Sequence, residues 1–151
     1  MALKTVWTIG YERTGVRDLV TTLKEAKIKR VLDVRELPNS RRAGFSKNML
    51  AASLEKGGIA YQHMKALGTP KAGRDAAKRG DTKTMHKIFE AKMQSLESQM
   101  ALAEAAKAAG KERTALLCLE HDWKVCHRAI VAKHLEGFGF KAQHLAPEMH
   151  D

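Results

Sequence analysis

Short apolar segments alternate with amphipathic segments along most of this chain, and that alternation limits the folds that it can adopt. The apolar runs are residues 4–10, 30–34, 59–63, 114–120 and 141–146. The segments between them carry helical spacing or helix-stopping glycines. Strands that are apolar throughout and alternate with helices are typical of a parallel sheet covered on both faces. The sequence therefore predicts a single α/β domain over residues 1–151, with a mainly parallel five-stranded sheet in a Rossmann-like three-layer arrangement.

Three connecting segments carry more detailed signals. Thr14 and Ser46 are predicted helix caps, and residues 82–109 keep a helical period that fits one long helix or two joined near residues 95–98. Residues 69–81 contain a proline, two glycines and several basic side chains, so we predict a flexible basic loop that could close over a ligand. Its basic residues are Lys71, Arg74, Lys78 and Arg79.

Composition narrows the class of protein. No run of about 18 apolar residues is present, so no membrane span is expected, and the first ten residues do not resemble a signal peptide. Two cysteines in 151 residues are not a disulfide framework, which favours a reduced, cytoplasmic protein. Lysine and arginine outnumber the acids 27 to 17, giving a net charge of +10. Such a surface attracts nucleic acid or small anions, or only serves solubility.

Polar side chains follow the ends of four predicted strands. In parallel α/β sheets, ligands bind beyond the carboxyl ends of the strands, near the point where strand order reverses. We therefore expect one cleft to collect residues that are far apart in sequence. The residues expected there are Tyr11, Asp33, Arg35, Glu120 and His127.

Several stretches carry a resemblance to a known family. The segments "VLDVRELPNSRRAGFSKNML", "GIAYQHMKALG" and "LLCLEHDWKVCHR" resemble the family called domain of unknown function 488. The resemblance implies an α/β fold and no particular activity. Its signature positions correspond to Asp33, Arg35, Pro38, Ser40, Phe45, Cys118, Glu120, Cys126, His127 and Arg128. This chain differs from the family pattern at Tyr11, where a histidine is usual, and at Thr69, where a second glycine is usual.

The segment of residues 118–130 admits more than one chemistry. Cys118, His121, Cys126 and His127 are potential metal ligands. No metal site is expected, however, because adjacent residues at a helix start point about 100° apart. Cys126 in the first helical turn is a candidate nucleophile with His127 or His121 as its base, since a helix N-terminus favours a thiolate. The alternative is that Cys126 packs the helix onto the sheet, and Cys118 is assigned to the core.

The same segment suggests an anion site. A helix beginning near Cys126 offers backbone amides, and Arg128, Arg35, Arg41 and Arg42 supply guanidinium groups suited to phosphate. Internal ion pairs with Asp33 or Glu120 are the alternative use of these arginines. Asp33 and Glu120 are also a candidate acid–base pair.

Three functions remain compatible with the sequence. Residues 8–15 lack the P-loop lysine and the dinucleotide glycine pattern, so no cofactor is expected. The first possibility is an enzyme acting on a phosphate-bearing substrate, such as a nucleotide or a nucleic-acid end. The others are a nucleic-acid-binding module without catalysis and a regulatory protein whose cleft holds only ion pairs. The pattern does not indicate an oligomeric state.

Overall fold

The computed structural model describes residues 4–150, which form five parallel strands and six α-helices. The strands are β1 (Lys4–Gly10), β2 (Arg30–Asp33), β3 (Ala60–His63), β4 (Thr114–Cys118) and β5 (Phe140–Leu145). The helices are α1 (Val16–Glu25), α2 (Lys47–Lys56), α3 (Lys71–Lys78), α4 (Thr82–Met93), α5 (Leu96–Lys111) and α6 (Arg128–Glu136). This confirms the predicted α/β class, and every strand pairing is parallel.

Helices cover both faces of the sheet. Leu19 and Leu23 of α1 pack with Leu50 and Leu54 of α2 on one face, while α3 to α6 contribute to the core on the other face. Successive residues of a strand point to opposite faces, so Leu117 of β4 belongs to the first core and its neighbours belong to the second. The three-layer arrangement predicted from the sequence is therefore present. None of the helices within residues 4–150 has the length and apolar character needed to cross a bilayer.

The strand order determines where a ligand can bind. The sheet runs β3-β2-β4-β1-β5, which differs from the 3-2-1-4-5 order of the Rossmann dinucleotide fold. The chain leaves β2 toward α2 on one face and leaves β4 toward α6 on the other face. Because these two connections diverge, a crevice opens between the carboxyl ends of β2 and β4.

The prediction of a basic flexible loop over residues 69–81 is wrong, because Lys71–Lys78 form helix α3. The proline and the glycine that suggested a loop are both compatible with the helix. Pro70 is its N-cap with φ −60°, and Gly73 lies where a Cβ would be 2.5 Å from the methyl group of Thr69. Ala76 is fully buried in the core on this face, so the helix packs against the domain.

Helix ends are partly as predicted. Residues 82–109 form two helices that meet at residues 94 and 95, close to the predicted joint, and Ser95 caps the second one. Ser46 is the N-cap of α2, but its hydroxyl is hydrogen-bonded to Ser40 instead of to the helix. The prediction of Thr14 as a cap is wrong by one residue, since Gly15 takes that position. The Thr14 hydroxyl donates to the carbonyl oxygen of Glu12 at 3.2 Å.

Candidate functional site

A cleft of about 730 Å³ lies at the carboxyl ends of β2 and β4. Its walls include five of the residues that the sequence assigned to a site, which are Tyr11, Arg35, Arg41, Glu120 and His127. Asp33 is fully buried and is held directly against Arg35. Cys126 and Arg128 are also fully buried and do not line the cleft. Cys118, which we had assigned to the core, does line it.

Asp33 and Arg35 form a buried two-point ion pair. The guanidinium Nε and Nη2 of Arg35 lie 2.8 and 2.7 Å from the two carboxylate oxygens of Asp33. The Arg35 backbone amide and the Tyr61 hydroxyl donate to the same carboxylate. Burial alone would lower the pKa of Arg35, but the hydrogen bond and charge of Asp33 outweigh it and raise that pKa above its ordinary value. A carboxylate held by three groups is suited to orienting Arg35 and has little capacity for acid–base work.

The remaining contacts of Arg35 fix it in one orientation. Its Nη1 donates to the Tyr11 hydroxyl at 3.2 Å and to the Phe45 carbonyl oxygen at 2.8 Å. The Tyr11 ring stacks on Phe45 with 4.5 Å between ring centroids. Because Arg35 has five N–H bonds and four of them have acceptors here, at most one is available to a ligand. The arginine therefore serves mainly as part of the wall of the cleft.

The side chains of Cys118, Cys126 and His127 lie close together next to the cleft, at the carboxyl end of β4. The Nε2 of His127 lies 2.6 Å from the carbonyl oxygen of Val34, so this nitrogen carries a proton and donates it. The Nδ1 of His127 lies 3.6 Å from the Sγ of Cys118 and, in the neutral ring, accepts from that thiol. The Sγ of Cys126 also lies within 4.8 Å of the Cys118 Sγ and of a ring nitrogen of His127.

The local backbone at Cys126 differs from the prediction. Trp123–Val125 form a 3₁₀ turn, Cys126 is extended, and α6 begins only at Arg128 with His127 as its N-cap. The amide of Cys126 is already used, because it donates to the carbonyl oxygen of Trp123 at 3.2 Å. Burial, followed by the neighbouring Cys118, raises the pKa of the Cys126 thiol well above its ordinary value. The predicted position of Cys126 in a first helical turn is therefore wrong, and the role of Cys126 as a nucleophile stays a prediction.

The guanidinium of Arg128 is hydrogen-bonded to backbone carbonyl groups of the loop after β4. Its Nη1 donates to the carbonyl oxygen of Glu120, and its Nη2 donates to the carbonyl oxygen of His121 at 3.3 Å. Gly10 lies against the same two groups, Arg128 and the Glu120 carbonyl. Arg128 therefore fixes the loop after β4 from below, and the predicted anion cradle at the start of α6 does not include its guanidinium.

The basic residues near the cleft divide into paired and unpaired groups. Arg74 lies 2.5 Å from a carboxylate oxygen of Glu36, which also has Lys92 at 3.6 Å. Arg42 donates to the carbonyl oxygen of Thr14. Arg41 and Lys78 line the cleft, and the side chain of neither forms a hydrogen bond or an ion pair within residues 4–150.

Glu120 is the acidic residue with unused capacity in this cleft. It lines the cleft, and its Oε2 is buried without a hydrogen-bond partner in the part of the chain that the structure describes. A buried carboxylate oxygen without a donor costs free energy, so a bound ligand, ion or water at this point would be favoured. Sequence reasoning identified Glu120 as a cleft residue. It also assigned Cys118 correctly to the core but did not predict that Cys118 lines the cleft as well, which its position at the carboxyl end of β4 could have indicated.

Cys126 should react slowly with alkylating reagents. In reduced, chelator-treated protein at pH 6, we expect iodoacetamide to modify Cys126 more slowly than free cysteine, because its thiol is fully buried with a raised pKa. Peptide mass spectrometry of timed samples measures both cysteines. The control is the same reaction in urea, where Cys118 and Cys126 should react at similar rates. If Cys126 in the folded protein were alkylated at a higher rate than free cysteine, this result would identify it as an activated nucleophile.

Comparison with known proteins identifies a family. The family model Domain of unknown function DUF488 matches residues 15–135. No curated protein and no solved structure matches the chain. The matched segment contains Asp33, Arg35 and the segment from Cys118 to Arg128, and it excludes Tyr11. Because the match covers most of the chain and every residue of the cleft wall except Tyr11, this protein belongs to the DUF488 family.

Proposed function

We propose that the cleft binds a phosphate-bearing small molecule between Arg41 and Lys78. The supporting observation is that these two cations line one cleft from the β2 loop and from α3, and neither has an acidic oxygen within 4.0 Å in residues 4–150. Asp75, whose pKa the charge of Lys78 helps to lower, is paired with Lys71 instead. Guanidinium and ammonium groups without partners are suited to bind phosphate oxygens through charge-assisted hydrogen bonds. The ion pairs of Arg35 with Asp33 and of Arg74 with Glu36 hold the walls without competing for the ligand.

The rest of the cleft favours a ligand that is only partly charged. Leu37 and Leu119 line it and are 49% and 45% exposed, so the walls offer apolar surface to a ligand. A volume of about 730 Å³ is within the range typical of small-molecule sites. A nucleotide has the required combination, with a phosphate for the two cations and a base for the apolar wall.

The groups at the bottom of the cleft support an enzyme over a passive binding module. Cys118 and His127 line the cleft as a hydrogen-bonded thiol and imidazole, and Glu120 adds a carboxylate with an unused oxygen. Reactive groups with unused capacity next to a ligand cleft are the usual sign of chemistry. Glu120 is therefore our candidate for contact with the substrate, because both ring nitrogens of His127 are already hydrogen-bonded, while Asp33 orients Arg35.

Removing Lys78 should weaken binding of a nucleotide. Lys78→Ala should raise the Kd for adenosine 5′-monophosphate by roughly tenfold to a hundredfold, as expected for the loss of a hydrogen bond to a charged group. Isothermal titration calorimetry measures the change, and Arg41→Ala should behave alike. The matched control is Arg79→Ala, which removes the same charge one residue away from a side chain that does not line the cleft.

Two results would contradict the proposal. Equal weakening by Lys78→Ala and Arg79→Ala would show a general effect of surface charge. Equal affinity for adenosine and its monophosphate would show that the phosphate makes no contact. A salt dependence corresponding to many more than two neutralised phosphates, measured with a single-stranded oligonucleotide, would favour the nucleic-acid-binding module.

A further inference from the structure

We propose that Cys118, Cys126 and His127 form a binding site for a thiophilic divalent cation, such as Zn²⁺, with its fourth position open to the cleft. The three ligand atoms, two sulfurs and one ring nitrogen, all lie within 4.8 Å of one another. In a tetrahedral zinc site, the bond lengths of about 2.3 Å to sulfur and about 2.0–2.1 Å to nitrogen place neighbouring ligand atoms about 3.5–3.8 Å apart. The 3.6 Å between Sγ of Cys118 and Nδ1 of His127 already has this value.

The second hydrogen bond of His127 supports the same site independently. A histidine that binds a metal almost always donates its other ring N–H to a carboxylate or a backbone carbonyl, which fixes the tautomer and the ring orientation. Here Nε2 donates to the carbonyl oxygen of Val34 at 2.6 Å. That contact leaves the lone pair of Nδ1 directed toward the two thiols.

The backbone explains how two adjacent residues can bind one ion. Cys126 is extended (φ −105°, ψ 144°), whereas His127 already has helical angles (φ −65°, ψ −18°). This change of conformation between neighbours lets both side chains converge on Cys118, which two successive residues of a regular helix would not do. The sequence-based reason for excluding a metal therefore does not apply.

The burial and chemical type of the ligands select the ion. Cys118, Cys126 and His127 are only 6%, 0% and 5% exposed, so water competes little for their ligand atoms. Two sulfurs and an imidazole suit zinc and other thiophilic ions, and they do not suit magnesium or calcium, which prefer oxygen ligands. Binding replaces the two thiol protons, so each bound ion releases two protons to solvent.

The fourth position of this site faces the cleft. Cys118 and His127 line the cleft, whereas the ligand cluster does not include Glu120. Three protein ligands with an open fourth position are typical of catalytic zinc, and structural zinc sites have four protein ligands. Glu120 also lines this part of the cleft and has a buried oxygen without a partner in residues 4–150, so it is placed to accept a hydrogen bond from a metal-bound water.

The test begins with wild-type protein that has been reduced, stripped with a chelator and kept under anaerobic conditions. Titration with Co²⁺ should give the intense visible bands of a tetrahedral site and a near-ultraviolet thiolate-to-cobalt charge-transfer band, saturating at about one equivalent. Zn²⁺ should displace the cobalt, release about two protons per ion and protect both cysteines from alkylation. Wild-type protein that shows neither the charge-transfer band nor this protection overturns the proposal.

Variants then identify the ligands. Cys126→Ser and Cys118→Ser should each lower the charge-transfer intensity by about half and weaken zinc binding by more than roughly a hundredfold, since loss of an outer hydrogen-bond partner alone costs about 10–100-fold. His127→Asn should weaken zinc binding while keeping the full charge-transfer intensity. The control is His134→Asn, a partly buried histidine of α6 that pairs with Glu90 and lies outside the ligand cluster, which should bind cobalt normally. Normal cobalt spectra in both serine variants would overturn the site even if nucleotide binding is retained.

Discussion

Replacement of Asp33 by alanine should lower the free energy of unfolding by about 3–5 kcal/mol, as found when one partner of a buried ion pair is removed. The physical reason is the charge that remains. The Arg35 side chain is buried and loses both of its hydrogen bonds to the carboxylate, while the Arg35 backbone amide and the Tyr61 hydroxyl lose their acceptor. Urea unfolding followed by circular dichroism measures the change. Because Arg35 also forms part of the cleft wall, Asp33→Ala should in addition weaken nucleotide binding.

Two further variants separate the buried charge from other effects. The double variant Asp33→Ala with Arg35→Met should recover part of the lost stability, because it removes the uncompensated cation. Asp75→Ala breaks the exposed pair of Lys71 and Asp75 and should leave stability without measurable change. A small effect of Asp33→Ala, comparable to that of Asp75→Ala, would show that Arg35 finds solvent when its partner is lost.

The sheet could be predicted from local signals, but its strand order could not. Each apolar run of the sequence forms a strand. The inner strands β2 and β4 are buried on both faces, as expected for a covered parallel sheet, whereas the edge strands β3 and β5 are only partly buried. The insertion of β4 between β2 and β1 follows from how three helices, α3 to α5, cross the second face. The packing of these helices depends on contacts between segments that are far apart in sequence, so local patterns do not reveal the strand order. The error at α3 has a local cause, since Pro70 begins a helix there and Gly73 permits a close contact.

The site could be predicted where strand ends decide it, and not where irregular backbone decides it. Tyr11, Arg35 and Glu120 lie just after the carboxyl ends of different parallel strands, and the rule for such sheets brought them to one cleft. Cys126 depends on a short 3₁₀ turn that ends just before it, and a helical periodicity could not reveal this turn. Arg128 was expected near an anion. In the structure its guanidinium instead donates to the backbone carbonyl of Glu120, and Gly10 leaves the space that this carbonyl needs.

The second large effect is expected at Gly10. A Cβ at this position would lie 1.8 Å from the backbone carbonyl oxygen of Glu120 and 3.0 Å from Nη1 of Arg128. Gly10 is not among the residues with positive φ, so the requirement is for space and not for an unusual conformation. Gly10→Ala should therefore destabilise the protein by about 3 kcal/mol, the upper end of overpacking effects, because backbone must move. Thermal unfolding measures the loss.

The matched control is Gly110→Ala, near the end of α5, where the added Cβ would meet only the flexible end of Lys4 at 3.2 Å. This change should stabilise the protein by about 0.5–1 kcal/mol, since glycine is a poor helix residue. In Gly10→Ala the carbonyl of Glu120 must move away from residue 10, which shifts the Glu120 backbone and its side chain. We therefore expect weaker nucleotide binding as well as lower stability from a methyl group that does not line the cleft. Unchanged stability and unchanged binding in Gly10→Ala would show that the loop after β4 does not rest on β1, and that another contact positions Glu120.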